Sequence, residues 1–184
     1  MTKNLPIWIQ HLVAIQKKES KGISSRWIQI STLGLDNSPR VRTVVFRGWS
    51  ENYEMEILTD QRSEKFNELK KNSNVEICWL FPKTKCQFRF RGIAKIGIEE
   101  EAVDFWQKLS PSSRSLWAWP LPGATYSVNS SYPQEIKDGV SKPENFVLLK
   151  IDIFEVDKLL LQKPIHIRKR WMKSSGWVEE RINP

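Results

Sequence analysis

The amino-acid sequence predicts a mainly-β fold, an antiparallel barrel with a few peripheral helices. Short segments rich in β-branched and aromatic residues alternate with a period of two at close spacing, few segments carry the helical period, and the two never alternate as strand–helix–strand units. That pattern points to an antiparallel barrel and excludes the doubly wound parallel sheet, the commonest dinucleotide fold. With 184 residues, 40% of them hydrophobic and 27% charged, and only 8 Gly and 10 Pro, the composition is that of a folded chain. At about 150 residues per domain it makes one domain, and it excludes collagen-like or disordered classes.

From Leu5 to Lys18, Leu5, Ile7, Trp8, Leu12 and Ile15 recur at helical spacing, and Pro6 sits where a first turn tolerates it. After Gly22 the period changes to two: Trp27–Leu33, a turn cluster at Gly34–Pro39, and Arg40–Trp49 read as a hairpin. Glu54–Thr59 alternates as a strand, and Asp60–Lys71 reads as a short helix with Phe66 and Leu69 three apart. Asn74–Phe81 and Gln87–Ile98 are strands around the turn at Pro82–Lys85. Glu99–Leu109 is a helix, with acidic residues at its start favouring the dipole. Ser110–Lys142 is rich in Ser, Pro and Gly; Ser110-Pro111 opens another short helix, and the stretch from Pro120 is an excursion, either a lid or an interface arm. Asn145–Phe154, Glu155–Leu161, Ile165–Lys173 and Trp177–Arg181 close the fold as strands, the last two turning at Ser174–Gly176.

The longest purely apolar run, Ile77–Phe81, has five residues, against roughly 20 for a spanning helix. The start Met1–Pro6 shows no apolar leader, so the expected location is cytoplasmic. Two cysteines, Cys78 and Cys86, make no disulfide framework, and two histidines, His11 and His166, make no zinc set. Lys and Arg number 29 against 21 Asp and Glu, a net charge of +8 that suits an anionic partner without choosing among nucleic acid, phosphate and an acidic surface. No G-x-G-x-x-G and no G-x-S-x-G occurs, and Gly92-x4-Gly97 continues Ile98-Glu99 where a P-loop needs Lys-Ser/Thr.

Three basic clusters remain. Arg40, Arg42 and Arg47 share one strand, as a solvated face or as anion ligands. Thr59-Asp-Gln-Arg-Ser-Glu-Lys65 runs from a strand end into a helix start. There, free backbone N–H groups, the Ser63 hydroxyl and the Arg62 and Lys65 cations suit a phosphate, while Asp60 or Ser63 serves equally as a helix cap. In Ile165–Trp171, His166, Arg168 and Arg170 share one strand face, a ligand face or a charge-guarded edge. Phe88-Arg-Phe-Arg-Gly92 offers a rival reading, a basic nucleic-acid-binding barrel. The period opposes it, putting Phe88 and Phe90 together on the core side and the arginines on the other.

In order and spacing, Arg42-Thr-Val-Val-Phe-Arg47, Leu58-Thr-Asp-Gln-Arg-Ser-Glu-Lys65, Phe81-Pro with Cys86-Gln87-Phe-Arg-Phe-Arg-Gly92, and the ending Trp177-Val-Glu-Glu-Arg-Ile-Asn-Pro184 resemble the pyridoxamine 5'-phosphate oxidase-like FMN-binding split barrels. The resemblance covers roughly Arg40 to the end. On the residues alone the nine Trp read first as core and interface packing; the resemblance implies one FMN-binding domain over 1–184, a Greek-key split barrel, and a homodimer with FMN at the subunit interface, the Trp-rich surface serving dimerisation. It further implies that Arg42, Thr43, Val44, Val45 and Arg47 run along the flavin, with Leu58 and Thr59 on the neighbouring strand end. Ser63 and Lys65 match the family's Ser-Arg-Lys phosphate turn, whose middle Arg is Glu64 here with Arg62 alongside. Gln87 and Arg170 match cofactor contacts.

The family's substrate-binding Arg-Leu-His becomes His166-Ile-Arg168, its flavin-adjacent Trp becomes Leu160, and the Gln-Ser expected after Ala118-Trp119 gives way to a stretch containing Pro122-Gly123. The resemblance therefore implies a divergent FMN-dependent oxidoreductase whose substrate the sequence does not name, with His166 and Arg168 as substrate-side candidates. No catalytic side chain is required, because the flavin itself accepts a hydride. A non-oxidase flavin- or heme-binding barrel shares the fold and differs only in ligand.

Overall fold

The computed structural model describes residues 6–19 and 22–184. Leu5, at the head of the expected first helix, lies outside the described residues, as does the rest of the Met1–Leu5 start. The elements are α1 (Ile7–Gln16), β1 (Trp27–Leu33), β2 (Pro39–Trp49), β3 (Met55–Asp60), α2 (Glu64–Lys71), β4 (Asn74–Phe81), β5 (Cys86–Ile96), α3 (Glu99–Lys108), a single turn α4 (Pro111–Arg114), β6 (Phe146–Leu160), β7 (Ile167–Met172) and β8 (Glu179–Ile182).

All strand pairings are antiparallel, in the order β3-β2-β1-β4-β5-β6-β7-β8, and a further pairing of β3 with β6 closes the first six into a barrel. The expected antiparallel barrel is thus the observed fold. Its interior follows the period-two alternation read from the sequence: Ile28 and Ile30, Met55 and Ile57, Ile77 and Trp79, and Phe88 and Phe90 are each at most 1% exposed. α1 lays Trp8, Ile9, Leu12 and Ile15 on this core, with the Trp8 ring edge-on to Trp49 at 5.5 Å, an arrangement aromatic rings favour.

The sequence suggests two strands where the structure has one. β6 runs unbroken for 15 residues; its first part, Phe146–Ile151, pairs with β3, and its second, Glu155–Leu160, with β7. The register against β5 shifts where Arg91 faces Glu155 and Gly92 faces Ile153, which leaves Phe154 as an extra residue. Alternation changes phase at a bulge just as it does at a strand boundary, which is why the sequence reads as a break. The last strand starts two residues later than expected because Gly176 and Trp177 both have positive φ, 65° and 63°, and extend the turn. α2 also starts late, at Glu64, because residues 60–63 form a turn closed by Ser63 N–H to Asp60 O at 3.1 Å.

α3 packs on the outer face of the barrel over a second cluster, Ala102, Trp106, Trp117, Phe146 and Leu148. A 3-10 turn, Ser115–Ala118, follows α4; the excursion from Pro120 contains no helix or strand, but its far end is fixed to α4 and α3: Arg114 bonds Asp138 at 2.6 Å, Trp106 Nε1 donates to Val140 O at 2.8 Å, and Lys142 pairs with Glu99 at 3.1 Å. The tryptophans are mostly interior, in line with the core-packing reading and unlike the Trp-rich surface that the resemblance implies. Trp8, Trp79, Trp106, Trp117 and Trp171 are buried and Trp27 alone of the nine is exposed, at 49%, because large rings bury the most apolar area.

Candidate cofactor site

The strand end of β3, the turn after it and the start of α2 bring Thr59, Arg62, Ser63 and Lys65 together, and β2 adds Arg42 from the adjoining strand. Each group has a distinct role. Asp60 organises the turn: its Oδ1 accepts the Arg62 backbone N–H at 2.7 Å and the Arg62 side chain grips both carboxylate oxygens, the shortest contact being 2.6 Å. Burial pushes the Asp60 carboxyl up, but the side-chain and backbone hydrogen bonds from Arg62 outweigh it and hold the pKa below the usual range. Arg62 also donates to Trp119 O at 3.1 Å, so its charge is compensated by Asp60 and its fork is tied to the excursion. Ser63 occupies the cap position without a cap bond; its hydroxyl donates to Asp60 O at 2.7 Å. The first N–H groups of a helix have no intrahelical acceptor and face outward as donors.

Lys65 is the distinctive group. Its Nζ bonds Thr59 Oγ1, and among the described residues it forms no ion pair. Burial, reinforced by the nearby Arg42 cation, lowers its pKa to about 8. A desolvated, uncompensated ammonium beside open helix N–H groups is built to receive an anion. Before an anion arrives it destabilises the fold. Its folded-state pKa lies below the ordinary 10.5, so the unfolded chain binds the proton more tightly, the penalty is fully present below about pH 8, and stability from this group rises as pH climbs from there towards 10.5. Replacing Lys65 with Met is expected to raise the stability of the ligand-free protein at pH 7 by about 1–3 kcal/mol, read as a higher melting temperature that fades above pH 9; a lower melting temperature would refute this account.

On β2, Val44 packs against the core while Thr43 is exposed and Val45 half-buried. Thr43 and Val45 stand opposite Gln29 and Trp27 on the outer face of the β1–β2 pair. Arg47 Nε is buried with no hydrogen-bond partner, and burial together with Arg26 pushes its pKa down. An orphaned donor and a bare ammonium both call for acceptors, so this region fits an anionic ligand carrying hydrogen-bond acceptors. Leu58 instead packs into the cluster beneath α3.

The remaining candidates lie elsewhere on the barrel. Gln87 sits half-buried on β5 between Leu80 and Leu159. Arg168 and Arg170 project from β7 into a cleft of about 270 Å³ shared with Arg89, Arg91, Glu155 and Asp157. Arg168 pairs with Asp157 at 2.9 Å and Arg170 with Glu180 at 2.8 Å. His166 precedes β7 rather than lying on it, and its ring turns back to Gln162 O at 3.0 Å. β7 pairs with the second part of β6 and β3 with the first, so within one chain the strands place the two groups at different stretches of the barrel. The rival nucleic-acid reading loses its stacking surface, since Phe88 and Phe90 are both 0% exposed.

Two residues of the site carry no signal in the sequence. Asn145 Nδ2 donates to Asp60 Oδ2 and to Trp117 O, both at 2.9 Å, tying the turn to the start of β6. Glu68, on α2, is 3% exposed and accepts from Thr32 and Arg42. Among the described residues no cluster of His, Cys, Asp and Glu suits a metal ion, and no helix is long and apolar enough to cross a membrane.

The chain is similar over most of its length to known proteins. Residues 5–97 match the family model for the pyridoxamine 5'-phosphate oxidase FMN-binding domain. Pyridoxine/pyridoxamine 5'-phosphate oxidase 2 of Arabidopsis thaliana is 32% identical over 192 residues, 96% of each chain. A pyridoxamine 5'-phosphate oxidase-related, FMN-binding protein from Nostoc punctiforme superposes with a TM-score of 0.85 at 28% identity, covering 98% of this chain and 99% of that one. PhzG from Burkholderia lata, solved in complex with tetrahydrophenazine-1-carboxylic acid, has a TM-score of 0.78 at 16% identity, covering 100% and 94%, a likeness of fold alone.

Proposed function

Because the chain belongs to the pyridoxamine 5'-phosphate oxidase FMN-binding family and its cofactor is FMN, we propose that it is an FMN-dependent oxidoreductase acting on a small anionic substrate, with the turn around Lys65 as the cradle of the cofactor phosphate. The observation that carries this reading is Lys65 itself, a largely desolvated cation without a carboxylate partner, beside open helix N–H groups.

Bound FMN supplies a ring that takes up a hydride from the substrate. The chain's own residues have other tasks. Lys65 and Arg42 hold the phosphate, the Ser63 turn contributes donors, and Arg47 offers its orphaned Nε to an acceptor on the cofactor. The outer face of β2, with Thr43 and Val45, gives the planar part of the cofactor a surface that excludes water from one side. No side chain need act as general base in this scheme.

The protein acts as a cytoplasmic homodimer in this reading, with the cofactor between subunits. Support comes from the apolar residues left uncovered beside the site: Trp27 and Leu80, 49% and 55% exposed, line a cleft on the outer face of β1 and β4. In such a dimer Arg168 and Arg170 of one subunit approach the cradle of the other, and their cleft receives the substrate's negative charge. Among substrates, pyridoxamine 5'-phosphate is the first to test, since the Arabidopsis relative is named for it.

Purified protein is expected to show oxidised-flavin absorption bands, to release FMN on heat denaturation, and to bleach when mixed without oxygen with its substrate. A colourless protein that fails to bind added FMN would overturn the assignment, and a flavoprotein left unbleached by pyridoxamine 5'-phosphate would move the substrate to another anionic class.

A further inference from the structure

One carboxylate in the cradle is out of place in an anion site. Glu68 lies on α2 with its side chain 4% exposed, and its Oε2 accepts from Thr32 Oγ1 at 2.6 Å and from Arg42 Nη2 at 2.7 Å. The other terminal nitrogen of Arg42 donates to Thr32 Oγ1 and to Arg40 O. A buried carboxylate is tolerated only when paired and hydrogen-bonded, and this one is, before any ligand arrives. The charges around the cradle then cancel in pairs: Asp60 against Arg62, Glu68 against Arg42. Lys65 is left over.

We infer that Glu68 is a positioning and specificity-determining residue of the cofactor site: by holding Arg42 in a buried ion pair it limits the cradle to one uncompensated cation, and so sets how strongly the site prefers a phosphorylated flavin to the dephosphorylated one. The inference rests on the reading of Lys65 and Arg42 as the phosphate cradle. Glu68 touches no ligand in this scheme and acts through Arg42.

Two consequences distinguish this role from simple packing. Glu68→Gln keeps an acceptor for Thr32 and Arg42 but removes the charge, so Arg42 becomes a second uncompensated cation; FMN binds more tightly while riboflavin, lacking the phosphate, is unaffected. The charged groups facing Lys65 are Arg42 from β2, Asp60 from the end of β3, and Glu68 from its own helix. Arg42 opposes its protonation and the two carboxylates favour it. Without the Glu68 charge, Lys65 loses its proton at lower pH, and the pH above which FMN affinity falls moves down.

The test is titration of the flavin-free full-length protein with FMN and with riboflavin, followed by flavin fluorescence from pH 6 to pH 9.5, for the wild type, Glu68→Gln, Glu68→Asp and Lys65→Ala. The expected result for Glu68→Gln is a rise of about tenfold in the FMN-to-riboflavin affinity ratio at pH 6.5, with the midpoint of the alkaline loss shifted down. Glu68→Asp, which retains the charge, is expected to keep the wild-type ratio. Both ligands report on the same folded population, so a variant that folds poorly weakens both alike and leaves the ratio readable. An unchanged or lowered ratio in Glu68→Gln overturns the inference. If Lys65→Ala weakens FMN while Glu68→Gln leaves the ratio alone, only the role of Glu68 fails; if Lys65→Ala leaves FMN affinity intact, the cradle itself is misplaced.

Discussion

Exchange of Lys65 and Arg42 together for alanine is expected to weaken FMN binding by about two to four orders of magnitude. A charge-assisted hydrogen bond to a phosphate contributes about 1.5–3 kcal/mol, and each 1.4 kcal/mol is a factor of about ten. The two substitutions differ in their side effects. Lys65→Ala removes a cation that no carboxylate pairs with and leaves behind only the buried Thr59 hydroxyl, a neutral partner. Arg42→Ala leaves Glu68 buried without its cation, a change that costs roughly 3 kcal/mol or more and appears as a lower melting temperature. Flavin fluorescence titration of both single variants and the double, with riboflavin as the control ligand, separates the phosphate contribution from destabilisation. FMN affinity that survives in the double variant would remove the phosphate cradle from this turn.

The second large effect concerns the bulge in β6. A Cβ placed on Gly92 would lie 2.7 Å from Ile151 Cγ2 and 2.8 Å from the Asp152 carbonyl oxygen, closer than atoms pack. The oxygen belongs to the backbone of a strand held by β5 on one side and by β3 just before it, so it has little room to withdraw. Alanine at a permissive glycine position stabilises by about 0.4–1 kcal/mol through the unfolded chain; here overpacking dominates, and Gly92→Ala is expected to cost about 2–3 kcal/mol net. For a chain of this size that is a drop of roughly 5–10 °C in melting temperature. A melting temperature equal to that of the wild type would show that the bulge relaxes freely.

The barrel was legible in the sequence wherever burial on one face enforces alternation, as at Phe88 and Phe90 or Ile28 and Ile30. The same rule misled at Phe154, since a phase change in alternation does not say whether the strand ends or bulges. The turn at Asp60–Lys65 was legible because its partners are near one another in the chain: Asp60 and Arg62, or Ser63 and the Asp60 carbonyl, are two or three residues apart. Glu68 and Asn145 were not. Their contacts bridge 36 and 85 residues respectively, and a glutamate on a short charged helix looks like any solvated residue until the fold buries it. The surplus of tryptophan, read from composition as core and interface packing, is found mostly in the core, whereas the Trp-rich surface implied by the resemblance is not, since composition counts rings without saying which side of the sheet they face.

The division of β6 has a mechanical consequence. Its first part completes the ring of hydrogen bonds that makes the barrel, while its second part carries β7 and β8, whose backbone ladder joins the barrel through that one edge. The terminal hairpin therefore borrows its hold on the rest of the molecule from side chains: Trp171, 0% exposed, enters the main core, and Trp177 lies 5.7 Å from the Trp8 ring of α1. One face of the hairpin is thus committed to the core while its arginines stand on the other, whereas the turn around Lys65 leaves directly from the strand end that closes the ring, where Asp60 pairs with Phe146.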